Sequence, residues 1–205
     1  MGYMYRYNPG IVLLRDLLEK GWLGEPFEVH TVISKKMDQA SRAKLEPQPG
    51  GMMFELGCHV IDLVVQILGR PDKVTPYAQH ASQIDDRLQD NMLAVFEYPR
   101  ALATVKSSCN EVNGFHRRHI VVCGSAGTFH LQPFGRPAAT LTLETARGKY
   151  RKGAQEIAFD GYRRYEDDVA DMARIIRREK DMDFSYQHDY DVQESVLKAS
   201  GLPLR

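Results

Sequence analysis

The spacing of apolar residues predicts a helix near the start of the chain and a strand after it. The apolar positions of the helix recur three or four residues apart, at Ile11, Leu14, Leu17 and Leu18. Asn8 and Pro9 are typical of a helix start, so we expect a helix over 9–20. Every second residue of the segment 27–34 suits a buried face, namely Phe27, Val29, Thr31 and Ile33. This alternation predicts a strand.

The pattern is polar over 35–50 and becomes helical again over 50–71. The polar segment predicts a long loop, which is a candidate for contacting a ligand. The next segment, GGMMFELGCHVIDLVVQILGRP, predicts a second helix that ends near Gly69. Its two leading glycines, Gly50 and Gly51, would let the backbone approach a ligand closely.

Short β-rich runs separated by turn-forming residues follow between residues 74 and 159. They are VTPYAQHAS, NMLAVFEY, ALATVKSSC, RHIVVCG, GTFHLQPF, ATLTLET and AQEIAF. Consecutive strands with such short links pair most easily as antiparallel neighbours. Two helices are expected at the end, one in YEDDVADMARIIRREK and one in DYDVQESVLKASG, where Asp191 and Glu194 have capping-box spacing. The sequence therefore predicts an α+β fold, with a large, mostly antiparallel sheet covered by helices on one face.

Composition narrows the possible partners. The chain of 205 residues has 27 basic and 27 acidic side chains, so overall charge favours neither nucleic acid nor an acidic membrane surface as a partner. Three cysteines without close spacing are typical of reduced thiols rather than of a disulfide framework or a zinc site. We therefore expect a cytoplasmic protein. Several strands, such as MLAVFEY, are apolar on both faces, which predicts a homo-oligomer that forms through the sheet face.

The second helix carries the clearest candidate chemistry. Glu55, His59 and Asp62 are spaced to share one stripe, opposite an apolar face. A carboxylate one turn from an imidazole orients the ring and stabilises its protonated form, as a general acid/base histidine requires. A structural interpretation stays open, because a glutamate near a helix start and a His-Asp pair on a helix surface need no function. A third possibility treats Glu55 and His59 as two metal ligands, but no other motif supplies recognisable ligand spacing.

Four segments in order resemble the second domain of the glucose-fructose oxidoreductase and inositol dehydrogenase (Gfo/Idh/MocA) family. They are GYMYRYNPGIVLLRDLLEKGWLGEP, GGMMFELGCHVIDLVVQILGRPDKV, RRHIVVCGSAGTFHL and the two C-terminal helices. The resemblance covers essentially the whole chain, 1–205, as a substrate-binding and oligomerisation domain. It implies that NAD or NADP binds mainly to a preceding Rossmann domain, whose glycine-rich turn and Glu-Lys-Pro segment are absent from this sequence. We therefore expect no cofactor on this chain alone.

The resemblance also implies roles for single residues. The family's Asp-x-x-x-His pair maps onto Glu55 and His59, and Glu55 is one methylene longer than the usual aspartate. His59 is expected to transfer a proton at the substrate hydroxyl, with Asp62 on the same stripe near the substrate. Tyr5 lies in a tract that relatives use to contact substrate, and its alternative role is packing at the domain junction.

Two further positions are expected near the substrate. Lys35 and Lys36 follow the first strand, where relatives hold substrate-contacting side chains, and Lys36 is taken as the substrate ligand; solvated lysines are the alternative. In GFHRRH, a basic turn before a strand, His116, Arg117 or Arg118 would meet a sugar, a phosphate or a neighbouring subunit.

The expected function is that of the C-terminal domain of an NAD(P)-dependent oxidoreductase acting on a sugar, inositol or similar polyol, inactive as an isolated fragment. The alternative is a standalone, non-catalytic binding or oligomerisation module derived from the same family. No nucleic-acid or membrane partner is expected, because the chain has neither an extended basic surface with aromatic residues nor an apolar run of about 20 residues.

Overall fold

An eight-stranded sheet runs through residues 2–204, the part of the chain that the computed structural model describes. Its strands are β1 (Pro26–Ser34), β2 (Lys73–Gln79), β3 (Asn91–Glu97), β4 (Leu102–Ser108), β5 (His119–Gly124), β6 (Gly127–Leu131), β7 (Ala138–Leu143) and β8 (Gly153–Ala158). The helices are α1 (Pro9–Glu19), α2 (Gln39–Leu45), α3 (Cys58–Leu68), α4 (Gly114–Arg117), α5 (Glu166–Ile176) and α6 (Tyr186–Ala199), with a π-helical turn, Met53–Gly57, leading into α3.

The strand order across the sheet is β2-β3-β4-β1-β5-β6-β7-β8. β1 is parallel to β4 and antiparallel to β5, and all other neighbours are antiparallel. The seven β-rich runs after residue 73 all form strands, so the α+β class with a large, mostly antiparallel sheet is confirmed. The first strand of the sequence is thus inserted in the middle of the sheet, between two antiparallel groups.

The core lies between one face of the sheet and the helices. α3, α6 and the π-helical turn pack over the half of the sheet that contains β1 and β4, and α1 lies against β6, where Gly10 meets Leu131. Core-facing side chains alternate with half-buried ones along β3, where Met92, Ala94 and Phe96 are buried. Among the helices of residues 2–204, none is long and apolar enough to cross a membrane.

Two local predictions differ from the structure, one because of a β-bulge and one because of the position of a helix cap. A bulge between Pro26 and Glu28 interrupts the pairing of β1 with β5, so Phe27 leaves the core face and is 48% exposed. The last helix begins at Tyr186, several residues before the predicted Asp191, because Ser185 is the N-cap and its side chain accepts a hydrogen bond from the His188 backbone N–H.

The predicted loop over 35–50 contains a helix, α2. Asp38 caps this helix by accepting a hydrogen bond from the Ser41 backbone N–H. The side chain of Arg42 is almost fully buried between Asp86 and Asp90, with nitrogen–oxygen distances of 2.7 and 2.9 Å. Tertiary ion pairs therefore hold this short helix in place, and apolar periodicity, on which the prediction was based, does not reveal such a contact.

α5 turns its apolar side to solvent. Val169, Met172 and Ile176 share one face as predicted, yet they are 67%, 57% and 73% exposed. Asp171 is instead turned inwards, where it accepts hydrogen bonds from the Tyr7 hydroxyl at 2.5 Å and from Lys180 at 2.7 Å. The helix is thus held to the body of the domain through a polar contact.

Candidate functional site

The π-helical turn before α3 positions the candidate acid/base pair. Its start is attached to the sheet, since the Met52 carbonyl accepts a hydrogen bond from the Ser107 hydroxyl at 2.9 Å and the Met52 N–H donates to the Gln89 carbonyl at 3.1 Å. A π-helical turn is wider than an α-helical turn and is frequent at functional sites. It carries Glu55, and His59 follows in the first turn of α3.

The two glycines before this turn have a structural role. Gly50 and Gly51 have φ values of 91° and 52°, which L side chains rarely adopt. A Cβ atom on Gly51 would lie 2.6 Å from the Gln89 carbonyl oxygen, and one on Gly50 would lie 2.6 Å from the Phe54 Cβ. Close packing within the protein therefore explains these glycines, and the predicted approach of a ligand is not needed.

His59 lies half-buried among aromatic side chains. Tyr3 and Tyr5 lie nearly perpendicular to its ring, with ring-centroid distances of 6.5 and 6.2 Å. Within residues 2–204, the Nδ1 atom of His59 is buried and has no hydrogen-bond partner. A buried polar atom without a partner is costly to folding, so this imidazole has a hydrogen-bonding capacity that the described protein leaves unused.

The surroundings of His59 favour its neutral form. Burial of the ring is the main cause that lowers the pKa of His59, because charging a group away from water is unfavourable. Arg118 and Arg164 lower the pKa further, whereas Glu55 and Asp62 oppose the shift. A neutral imidazole near pH 7 can accept a proton.

Glu55 is exposed at the mouth of the site and contacts a lysine. Its Oε1 atom lies 3.3 Å from the Nζ of Lys35, and the side chains are 41% and 23% exposed. Lys36, which we took as the substrate ligand, belongs to a different cleft, lined by Ser82, Asn110 and neighbouring residues. The two lysines at the end of β1 therefore diverge, and only Lys35 joins the pair of Glu55 and His59.

Asp62 does not share the exposure of Glu55. Its carboxylate is fully buried and accepts hydrogen bonds from Arg6 at 2.6 Å and from Gln66 at 2.7 Å, and it lies 3.2 Å from the Nε2 of His188. The predicted polar stripe thus divides into an exposed carboxylate, a half-buried imidazole and a buried ion pair. The role of Asp62 in substrate binding stays a prediction, and its contacts here are all with the protein.

Tyr5 and His116 occupy opposite environments. Tyr5 is fully buried between His59 and Phe134, and its hydroxyl accepts a hydrogen bond from Arg118 at 3.2 Å. His116 is exposed on the short helix α4, where its backbone carbonyl accepts a hydrogen bond from Gln132. Substrate contact by either residue remains a prediction, and only Tyr5 lies beside His59.

Sequence reasoning did not single out Arg164 or Tyr3 among the neighbours of His59. Arg164 approaches the Tyr5 ring, with its Cζ atom 6.0 Å from the ring centroid. Residues far apart in the chain meet here, so spacing alone carries no signal for them. Among the residues described, no group of three or more His, Cys, Asp and Glu side chains is arranged to hold a metal ion, which leaves the metal hypothesis for Glu55 and His59 without further ligands.

These features define a class of protein: an α+β domain that presents a carboxylate and a half-buried imidazole from one wide helical turn beside a large sheet. A family model described as the GFO/IDH/MocA C-terminal domain matches residues 11–130, more than half of the chain. The chain therefore belongs to this family of oxidoreductase C-terminal domains.

Individual relatives agree with this assignment. An uncharacterised oxidoreductase of Schizosaccharomyces pombe is 28% identical over 133 residues, which are 60% of this chain and 36% of that protein. The fold is similar to that of a levoglucosan dehydrogenase solved with NADH and levoglucosan, with a TM-score of 0.74 and 13% identity over 97% of this chain and 63% of that chain.

A UDP-N-acetylglucosamine 3-dehydrogenase from Acidithiobacillus ferrooxidans gives a TM-score of 0.75 and 16% identity over 98% of this chain and 60% of that chain. The match thus spans about a third of the length of the curated relative and about three fifths of the length of these two structures.

Proposed function

We propose that this chain supplies the substrate side of an NAD(P)-dependent oxidoreductase that acts on a sugar, an inositol or a similar polyhydroxy compound. The observation that carries the proposal is the state of His59, whose imidazole is half-buried, has a lowered pKa and leaves Nδ1 without a hydrogen-bond partner among residues 2–204. A neutral imidazole of this kind suits a general base that removes a proton from a substrate hydroxyl.

Glu55 and Lys35 complete this site at its exposed side. The negative charge of Glu55 raises the pKa of His59 against the effect of burial, so it stabilises the imidazolium that forms when the ring accepts a proton. Lys35 is 3.3 Å from Glu55 and holds the carboxylate at the mouth of the site. Together the three side chains can accept a proton and stabilise the resulting charge.

The nicotinamide nucleotide is expected to bind outside this chain. Phosphate-binding turns of the Rossmann type place a glycine-rich loop between a strand and the start of a helix, in a run of parallel strands. Residues 2–204 have a single parallel pair, β1 with β4, and no helix that begins in such a turn. When bound, the nucleotide would exchange a hydride with the substrate carbon. We expect the isolated chain to show neither stoichiometric nucleotide binding nor turnover, and calorimetric titration with NAD and NADP tests this expectation.

The open face of the sheet is the expected contact between copies of the chain. Leu93 and Val95 of β3 and Val121 of β5 are only half-buried on the face away from the helices. Apolar side chains on an uncovered sheet face favour association. Sedimentation at micromolar concentration should therefore detect a dimer or larger species. A Val95→Lys variant should shift the protein towards monomer, and a monomer for the unmodified chain over this range would contradict the expectation.

The experiment that tests the proposed activity removes the imidazole. With a nucleotide-binding domain joined ahead of this chain, His59→Ala should lower kcat by about 10²-fold or more, the usual scale for a general acid/base, and leave nucleotide affinity nearly unchanged. His30→Ala is the matched control, because His30 lies on β1 and contacts Glu28 and Thr104, outside the His59 cluster. Unchanged turnover in His59→Ala would contradict the proposal and favour a binding or oligomerisation module.

A further inference from the structure

Two arginines near His59 lack an acidic partner. Within residues 2–204, no carboxylate oxygen lies within 4.0 Å of a side-chain nitrogen of Arg118 or Arg164. Both guanidinium groups act on His59 electrostatically, and both contact Tyr5, the residue packed against its ring. The two positive charges therefore converge on the site of the proposed reaction.

Arg118 is buried without a compensating charge. Only 2% of the residue is exposed. Its guanidinium group donates to two neutral oxygens, the Ser34 carbonyl at 3.0 Å and the Tyr5 hydroxyl at 3.2 Å, and it stacks on Phe115 at 4.0 Å. A buried cation is unfavourable unless an anion compensates it. The described protein does not supply that anion.

Arg164 is the more accessible of the two cations. It is half-buried in the segment that leads into α5, and its Cζ atom lies 6.0 Å from the Tyr5 ring centroid. The neighbouring Arg163 is exposed and pairs with Glu166 at 3.2 Å, one of the three carboxylates in the first turn of α5. A half-buried guanidinium group with free donors is well shaped to bind the two oxygens of a carboxylate or a phosphate.

The two carboxylates that act most strongly on His59 are paired with other cations. Glu55 forms a pair with Lys35, and Asp62 is in contact with Arg6 at 2.6 Å. These pairs account for both carboxylates that act on His59. Arg6 is shared by Asp62 and Asp189, and Arg118 and Arg164 are left without an acidic partner within 4.0 Å among residues 2–204.

We propose that the site accepts an anionic substrate, a polyhydroxy compound that carries a carboxylate or phosphate group, with Arg164 binding the anion and Arg118 supplying a second positive charge behind it. The inference rests on the proposed function, because it places the reacting hydroxyl at His59 and the anionic group beside it. It narrows the substrate class from neutral polyols to their acidic derivatives.

The test compares two ligands that differ in one charged group, using this chain as it is. D-gluconate and D-glucitol share a six-carbon polyhydroxy skeleton, and only gluconate carries a carboxylate; D-glucose 6-phosphate provides the phosphate case. Binding is followed through the NMR signals of the His59 ring, assigned with His59→Ala. We expect one of the two anions to bind at least about 10-fold more tightly than glucitol, the scale of one good charged contact. The anion that binds more tightly identifies the chemical group.

Arg164→Met should abolish this preference, and Arg163→Met, the matched exposed neighbour, should preserve it. Glucitol binding as tightly as both anions, or a preference that survives Arg164→Met, would overturn the inference and leave the proposed role of His59 intact. If no ligand perturbs the His59 signals, the inference is also overturned. The effect of His59→Ala on kcat tests the proposed function separately, without reference to the charge of the substrate.

Discussion

Two buried arginines in this domain have opposite surroundings. Arg42 and Arg118 are 1% and 2% exposed. Arg42 contacts the carboxylates of Asp86 and Asp90 and donates to Ser82 and Asn110, so its charge and its donors are compensated by the protein. Arg118 has only neutral oxygen partners among residues 2–204.

The same contrast divides the predicted stripe of α3. Asp62 is buried and contacts Arg6, Gln66 and His188, whereas His59 retains a buried nitrogen without a partner. Buried polar groups whose hydrogen-bond or ion-pair partners belong to the protein stabilise its structure. Buried polar groups without such partners are candidates for binding a ligand. Burial alone therefore does not distinguish a structural side chain from a functional one, whereas the identity of its partners does.

The largest expected effect comes from removing the compensated arginine. Arg42→Met leaves two buried carboxylates without their cation, and we expect it to reduce the free energy of unfolding by about 3–5 kcal/mol. Arg118→Met loses two hydrogen bonds but also removes a buried charge that has no acidic partner, and because these effects oppose each other we expect a net loss of no more than about 1 kcal/mol. Urea denaturation measures both.

Each of these variants is the control for the other, since both replace a buried arginine with methionine. Equal destabilisation by the two substitutions would contradict the division between a structural and a functional cation.

A second expected effect concerns the buried carboxylate of the stripe. Asp62→Asn keeps the shape of the side chain but removes the charge that Arg6 contacts, and we expect it to lower the free energy of unfolding by about 2–3 kcal/mol. Asp189 is the other acidic partner of Arg6, and its side chain is 48% exposed. Asp189→Asn should therefore lower the free energy of unfolding by less than about 1 kcal/mol. Thermal or urea unfolding of both variants measures the two losses. A loss for Asp62→Asn as small as that for Asp189→Asn would contradict the structural role of Asp62 and favour its predicted role in substrate binding.

A smaller effect is expected at the glycine before the π-helical turn. Gly51→Ala combines a positive φ with a Cβ atom 2.6 Å from the Gln89 carbonyl, and we expect a loss of about 1–3 kcal/mol in the free energy of unfolding. Gly21 also has a positive φ, 65°, but a Cβ atom there would meet nothing within 4 Å. Gly21→Ala should therefore cost less, and an equal cost would mean that contact with Gln89 does not constrain the turn.

The general fold could be predicted from the sequence because apolar periodicity specifies it. All seven β-rich runs after residue 73 form strands, and Asn8 caps α1 as expected. The helix α2 could not be predicted in this way, because the tertiary ion pairs of Arg42 hold it in place. The wide turn before α3 was also missed, since its apolar pattern resembles that of an ordinary helix.

The candidate site was predictable only in part. Glu55 and His59 are close in the sequence, and in the structure the charge of Glu55 acts on the His59 ring, but among residues 2–204 no hydrogen bond joins the two side chains, so the predicted orientation of the ring by Glu55 is not seen. The choice between Lys35 and Lys36 depends on the direction of each side chain at the end of β1, which the sequence does not encode locally. The approach of Arg164 to Tyr5 joins distant segments and required the structure.

The pH dependence of folding follows from the environment of His59. Because burial lowers its pKa, the unfolded chain binds a proton at this residue more readily than the folded chain. The contribution of His59 to stability is therefore fully present above about pH 6.5, the usual pKa of histidine, and decreases as the pH falls below that value. His59→Ala should reduce the loss of stability between pH 7 and pH 5, as measured by urea unfolding at each pH.

The most direct test of the role of His59 is an NMR titration of its ring in the folded chain. Burial of the ring predicts a pKa below the ordinary value of about 6.5, which keeps the imidazole neutral near pH 7. Glu55→Gln should lower the pKa further, because the carboxylate opposes the shift, and Arg164→Met should raise it. A His59 pKa at or above about 6.5 in the unmodified chain would contradict the account of His59 as a base whose neutral form is favoured by burial.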